Sequence, residues 1–226
     1  MKEFLQTIQW LLKGHSIYRA LSAVVLKRES PLFSGEIVDF GSGKDPSRTL
    51  NLLKFENNKP YKIITTDIQE LKDIDYVIDL EKPLPFKDGQ LGGVILSNCL
   101  YAIYKPVETC KEIARTLKKN GTLVIITPFI YRHTHTPVDY YRYSEDFFKR
   151  SLPESGFRKV SIYPFGGRFT SIVYLLVNSF RSRLGVILRI IFLPMFILAL
   201  VSDALVPKRL KEHYHVPLGF VVIAQK

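Results

Sequence analysis

A chain of 226 residues, 46% hydrophobic and 23% charged, is long enough for one sizeable core and too apolar for a disordered protein. Its two cysteines, Cys99 and Cys110, exclude a disulfide framework, and neither sits in a CxxC pair or a Cys/His cluster of ligand spacing, so no metal site is expected and free thiols fit a reducing cytosol. The net charge of +11 is unevenly spread, with 5 basic against 2 acidic side chains in residues 1–30, 15 against 16 in 31–148, and 11 against 3 in 149–215.

Residues 4–28 place Phe4, Ile8 and Leu11, then Tyr18, Leu21 and Val25, at helical spacing, which predicts one or two amphipathic helices divided at Gly14. Glu3, Trp10, Lys13 and His15 interrupt the apolar stretch, and no small-residue cleavage site follows, so a secretory signal is not expected. After Ser30-Pro31 the pattern changes to short apolar runs alternating with helical ones, as in a parallel α/β sheet. Strands are predicted at Glu36–Phe40, Tyr61–Thr66, Tyr76–Ile78, Val94–Ser97, Thr122–Thr127, Lys159–Tyr163 and Phe220–Ala224, and helices at Ser47–Lys54, Pro106–Lys118 and Glu145–Leu152. The organisation read from this is an N-terminal helical segment, 1–30, and one domain, 31–226, with an apolar, basic helical insertion over 164–215 before the last strand.

That insertion holds an unbroken apolar run, Ile190–Val201, too short to span a bilayer as a helix and bounded by Arg189 and Asp203. Upstream, Asn178, Ser182, Gly185 and Arg189 fall on one helical stripe. An interfacial or re-entrant helical pair is the first reading, and a lid or dimerisation helix packed on the domain is the second. Cationic charge beside apolar surface makes residues 170–206 a candidate contact for an anionic membrane.

The strongest local signal is Ile37-Val38-Asp39-Phe40-Gly41-Ser42-Gly43-Lys44-Asp45-Pro46, an apolar strand ending in an acid and a glycine turn where backbone can approach a ligand at the carboxyl edge of a sheet. Pro46 replaces the third glycine of a dinucleotide fingerprint, which argues against a nicotinamide enzyme. One βα unit later, Ile63-Ile64-Thr65-Thr66-Asp67 ends in an acid suited to ribose hydroxyls. A third acid, Asp79, follows the next strand and precedes Leu80, a pair suited to the edge and face of adenine.

At these residues the chain resembles the class I S-adenosylmethionine-dependent methyltransferases, in particular the broad group that includes the ubiquinone-biosynthesis type. The resemblance extends through Pro83–Leu91, Val94–Leu100 and Glu112–Leu123, covering roughly residues 35–165 and the final strand. It implies a Rossmann-like, seven-stranded, mostly parallel sheet with helices on both faces and an antiparallel last strand. It also implies S-adenosyl-L-methionine as cofactor, with Asp39, Gly41, Ser42 and Gly43 at its methionine end, Asp67 on the ribose and Ile68 beside the adenine. Asp79 and Leu80 would read the adenine edge, and Ser97 and Asn98 would sit where cofactor and acceptor meet. Lys44-Asp45 stands where many members have a further glycine or alanine.

Beyond the fifth predicted strand, Pro128–Ser144 is similar to a His, Pro, Asp-Tyr, Arg-Tyr pattern of a methyltransferase subgroup associated with glycan or lipid pathways; the place of the patterned histidine is Thr134, flanked by His133 and His135. An oxygen acceptor needs its proton removed, and either imidazole titrates in the working range, with Asp139 as the group that orients it. The competing reading pins this loop by an Asp139–Arg142 pair. Tyr101, Tyr140 and Arg142 are the candidate acceptor contacts.

The expectation is therefore an oxygen-directed methyltransferase acting on a small or lipid-linked acceptor, such as a glycan intermediate or isoprenoid, in the cytoplasm and peripheral on the inner face of a membrane. A nucleic-acid methyltransferase is weakened because the fourth strand ends in Ser97-Asn98-Cys99-Leu100, without an (Asn/Asp)-Pro-Pro-(Tyr/Phe) run. A non-catalytic interaction protein is the third reading, opposed by the intact Asp39, Asp67 and Asp79.

Overall fold

The computed structural model describes residues 2–43, 47–72, 74–134, 137–178, 192–207 and 215–226. Helices α1 (Lys2–Leu12) and α2 (Ile17–Glu29) open the chain, followed by β1 (Leu32–Phe33), β2 (Gly35–Phe40), α3 (Ser47–Leu50), β3 (Lys54–Phe55), β4 (Tyr61–Asp67), β5 (Tyr76–Val77) and β6 (Leu91–Ser97). The second half runs α4 (Pro106–Thr116), β7 (Leu117–Pro128), α5 (Glu145–Glu154), β8 (Lys159–Phe165), α6 (Arg168–Asn178), α7 (Leu193–Leu205) and β9 (Gly219–Gln225).

Seven strands form one sheet in the order β5-β4-β2-β6-β7-β9-β8. The first five are parallel, and β9 runs antiparallel to both β7 and β8. Strand β2 is the hinge of this topology, pairing Val38 with Ile64 of β4 on one side and with Val94 of β6 on the other. Both faces are covered, which is why the central strands read as continuous apolar runs rather than alternating ones. On one face Val38, Phe40, Val94, Leu96 and Leu123 pack against α4 and α5 through Cys110, Ile113, Phe148 and Leu152. On the other, Ile37, Ile95, Val124 and Val221 pack against Tyr18, Val25 and Leu26 of α2, Val173 and Tyr174 of α6, and Phe196 and Ala199 of α7.

The expected seven-stranded sheet with an antiparallel last strand is the one observed, and the local boundaries differ where tertiary pairing outweighs propensity. The helix expected over Ser47–Lys54 stops at Leu50, because Lys54–Phe55 pairs with Leu32–Phe33 as a small parallel ribbon and Leu53 turns into the core. The helix expected to reach Lys118 ends at Thr116; Leu117 is fully buried and pairs with Leu91, so the chain passes straight into β7. Of the insertion, α6 and α7 pack on the sheet and on each other, and the polar stripe expected through Ser182, Gly185 and Arg189, with the first two residues of the apolar run, lies outside the described residues. No described helix is long and apolar enough to cross a membrane.

A tertiary cap joins the two insertion helices. The Asp203 carboxylate of α7 accepts hydrogen bonds from the Phe169 and Thr170 amides, both at 2.9 Å, satisfying the amino end of α6. Gly167 makes the approach feasible, since a Cβ there would lie 2.4 Å from the Asp203 carboxyl carbon. Replacing Asp203 by Ala removes both acceptors and is expected to lower the unfolding free energy by about 1–2 kcal/mol, read from urea denaturation.

Candidate active site

The carboxyl ends of β2, β4, β5 and β6 converge beside β2, where the chain, having built outward through β4 and β5, crosses back to β6 on the other side, the position at which open α/β sheets bind ligands. Two cavities of 420 and 430 Å³ open there and share Gly41 and Asn98 in their walls. The first is lined by Asp39, Gly41, Ser42, Gly43, Ser97 and Asn98 from the sheet edge, and by Trp10, His15, Arg19 and Ser22 from the N-terminal helices. The second is lined by Asp67, Ile68, Asp79 and Leu80, and on its far side by Tyr101, Val138 and Tyr140. All ten residues expected to hold the cofactor thus lie along one bipartite groove.

The glycine turn is shaped for close approach. Gly41 and Gly43 have φ of +68° and +65°, a region that costs a side chain, and a Cβ on Gly41 would meet Cys99 Sγ at 3.0 Å. The turn is tied to its neighbour strand: Ser42 N donates to Thr66 O at 2.9 Å and Gly43 N to Asp67 Oδ2 at 3.1 Å. The other Asp67 oxygen accepts from Gln69 N at 3.0 Å, leaving lone pairs on both for a diol at the groove. Asp79 closes its own turn by accepting from Glu81 N at 3.0 Å and lies 3.5 Å from the Lys82 ammonium. Ile68, half exposed beside these acids, offers an apolar face at the cavity wall.

Asp39 is the electrostatic anomaly. It is 2% exposed, its Oδ1 accepts no hydrogen bond from the described residues, and burial pushes its carboxyl up to about 7. A buried acceptor without a partner among the described residues, at a cavity wall, is open to a hydrogen bond or a cation from a ligand.

Asn98 sits at the junction of the cavities with φ of +56°, a conformation that asparagine tolerates. Three bonds hold it: its amide donates to Ile126 O at 2.7 Å, its Nδ2 to Ser97 Oγ at 3.2 Å, and its Oδ1 accepts from the Tyr18 hydroxyl at 2.6 Å. Tyr18 itself is buried among Tyr131, Phe165 and Tyr174, and burial raises its phenol well above the ordinary range, so it serves as a fixed donor.

The loop after β7 is pinned as an ion pair. Arg142 forks onto both Asp139 oxygens, Asp139 also accepts from Thr134 N at 2.8 Å, and the Arg142 hydrogen bonds hold the Asp139 carboxyl below the usual range. Of the two uses foreseen for Asp139, loop pin and histidine orienter, its described hydrogen bonds make the first. His133 is exposed and near enough to act on Asp139 by charge, though it lines neither cavity; His135 lies outside the described residues. Tyr101 and Tyr140 wall the second cavity, and the Arg142 guanidinium lies 5.6 Å from the centre of the Tyr101 ring.

Sequence reasoning missed the contribution of the N-terminal helices. Its signal was present: His15, Arg19 and Ser22 recur at helical spacing, with Arg19 exposed beside the buried Ile17, Tyr18 and Ala20 of α2.

Residues 45–125 match the model of a family described as a methyltransferase domain. No curated protein matches the chain in sequence. Among solved structures, a SAM-dependent methyltransferase from Archaeoglobus fulgidus aligns with a TM-score of 0.58 at 20% identity, over 92% of this chain and 94% of that one. An S-adenosylmethionine-dependent methyltransferase from Mesorhizobium loti aligns at 0.55 with 14% identity, over 89% and 96%. Haemonchus contortus phosphoethanolamine N-methyltransferase 2, solved with S-adenosyl-L-methionine, aligns at 0.54 with 14% identity, over 90% of this chain and 51% of that one. The chain therefore has the Rossmann-like methyltransferase fold, and residues 45–125 are similar to a methyltransferase domain.

The Asp39 carboxyl has a calculable consequence. Its pKa rises from 3.8 unfolded to about 7 folded, so the folded chain holds an extra proton between these values. The Asp39 contribution to stability is full below the lower value and is lost as pH rises through the upper one. Asp39→Asn is expected to remove this loss, so that without ligand the melting temperature of the variant relative to wild type climbs from pH 5 to pH 8.

Proposed function

We propose that this chain transfers the methyl group of S-adenosyl-L-methionine to an oxygen of an acceptor carried on a lipid-linked glycan or isoprenoid. The observation that carries the cofactor assignment is the buried Asp39 Oδ1, without a hydrogen-bond partner among the described residues, beside a turn whose two glycines leave room for close approach. Asp39 with Gly41, Ser42 and Gly43 would hold the methionine end, where the ammonium is the missing cation, and Arg19 offers a counter-charge for the carboxylate across the same cavity. Asp67 would take the ribose hydroxyls, and Ile68, Asp79 and Leu80 the adenine. Bound there, the sulfonium supplies an already activated methyl group.

The protein's own work is then alignment and exclusion of water. Asn98, locked by Tyr18, Ser97 and Ile126, stands where the two cavities meet and fixes the floor against which an acceptor is oriented. The pinned loop of Asp139 and Arg142, with Tyr101 and Tyr140, forms an amphipathic wall suited to a substrate part polar and part apolar. A hydroxyl must lose its proton, and this role falls to the loop imidazoles, His133 or His135.

Calorimetric titration with S-adenosyl-L-methionine and with S-adenosylhomocysteine tests the assignment. Both are expected to bind, and Asp67→Asn to weaken both by about 10–100-fold, the cost of hydrogen bonds to a charged acceptor. Absence of binding by the wild-type chain, or an unchanged affinity in the variant, would contradict it.

A further inference from the structure

Helices α6 and α7 pack on each other and bury one side each, Val173, Tyr174 and Val177 on α6 and Phe196 and Ala199 on α7. Their other sides should be polar in a helix facing water, and they are not. Phe169, Ile172 and Leu176 are exposed along α6 at spacings of three and four, and Leu198, Val201 and Leu205 along α7 in the same way, with Leu198 66% and Leu205 76% exposed. Single exposed leucines need no account; two adjoining helices with apolar outer stripes do. The acid of α7, Asp203, is turned inward as the cap of α6 and takes no part in that surface.

We propose that the outer faces of α6 and α7 dock on an anionic lipid bilayer. Charge selects this occupant. The sequence joining the two helices carries Arg181, Arg183 and Arg189 and no acid, and the sequence after α7 carries Lys208, Arg209 and Lys211 against Glu212 alone. Cations next in sequence to apolar helices match a surface of anionic headgroups over acyl chains. They repel a second copy of the same face. No described helix is long and apolar enough to span, and helices with one apolar outer stripe suit the interface.

The inner side of the same helices reaches the active site. The Tyr174 ring of α6 lies 5.8 Å from Tyr131 of the loop after β7, Tyr131 lies 5.2 Å from Tyr18, and the Tyr18 hydroxyl holds Asn98. These contacts connect the helices to Asn98 at the junction of the groove, which deepens the lipid-linked reading above and, in what is transferred there, rests on it; docking itself rests on the surface alone.

Flotation of the full chain with vesicles of phosphatidylcholine, with and without phosphatidylglycerol, tests the proposal. The expected result is flotation on the phosphatidylglycerol vesicles only, reduced by high salt, and its loss in Ile172→Asp/Leu198→Asp, whose thermal melt shows whether the variant is folded. A second variant, Ile172→Trp, is expected to shift its emission to the blue on the same vesicles. Failure of the wild-type chain to float, equal flotation on neutral vesicles, flotation unaltered in the folded double variant, or a concentration-dependent dimer that the double variant abolishes without any flotation would each overturn the proposal. Cofactor calorimetry reads the transfer assignment separately, so the two can fail independently.

Discussion

A carboxyl oxygen buried without a hydrogen-bond partner is expensive to keep in a protein interior, and Asp39 Oδ1 has none among the described residues while its side chain lines the wall of a cavity. The strand that carries it lies at the centre of the sheet, paired on both sides and covered on both faces, so the side chain cannot move to water without disturbing the most constrained part of the fold. In the turn that follows, Gly41 and Gly43 leave space beside it, and the hydroxyl of Ser42 between them is tied to Thr66 O. The same constraint raises the Asp39 carboxyl and so makes its contribution to stability depend on pH.

The rest of the molecule serves this point in layers. The parallel ladder of β5, β4, β2 and β6 brings Asp79, Asp67, Asp39 and Asn98 to one edge in that spatial order, which turns sequence-distant strand ends into one linear groove. Helix α2 is both core and roof: its buried side packs on the sheet while His15 ahead of it and its Arg19 and Ser22 close the groove from above, and the Arg28–Glu3 ion pair links it to α1. Tyr18 joins the two functions in one side chain, contributing area to the core and a hydroxyl to Asn98. The insertion helices add a second layer behind it, packing Val173, Tyr174, Phe196 and Ala199 into the same core.

Much of this was legible in the sequence because the sheet is doubly covered and its strands are therefore unbroken apolar runs ending in acids or glycines. Asp39, Asp67, Asp79 and the turn at Gly41–Gly43 could be placed by that pattern alone, since strand ends in a parallel sheet share an edge. The helix limits at Leu50 and Thr116 could not, because they are set by the pairing of Lys54 with Leu32 and of Leu117 with Leu91, contacts between residues more than twenty apart. Tyr18 read as one more apolar position on an amphipathic helix, and nothing in local spacing reveals that its hydroxyl meets Asn98, eighty residues away. For Asp139 the sequence left two uses open; three residues on, Arg142 supplied the charge that settled its hydrogen bonds.

If Asp39 is the seat of the cofactor's ammonium, binding must strip its proton, because a carboxyl with a pKa of about 7 is mostly neutral at pH 6 and has to ionise to pair with a cation. Calorimetric titration of S-adenosyl-L-methionine at pH 6, in two buffers of different ionisation heat, measures that proton directly. Release of about one proton per molecule bound, shrinking toward zero at pH 8, is the predicted result. Binding with equal heat in both buffers would contradict the account, as would proton release that persists unchanged in Asp39→Asn.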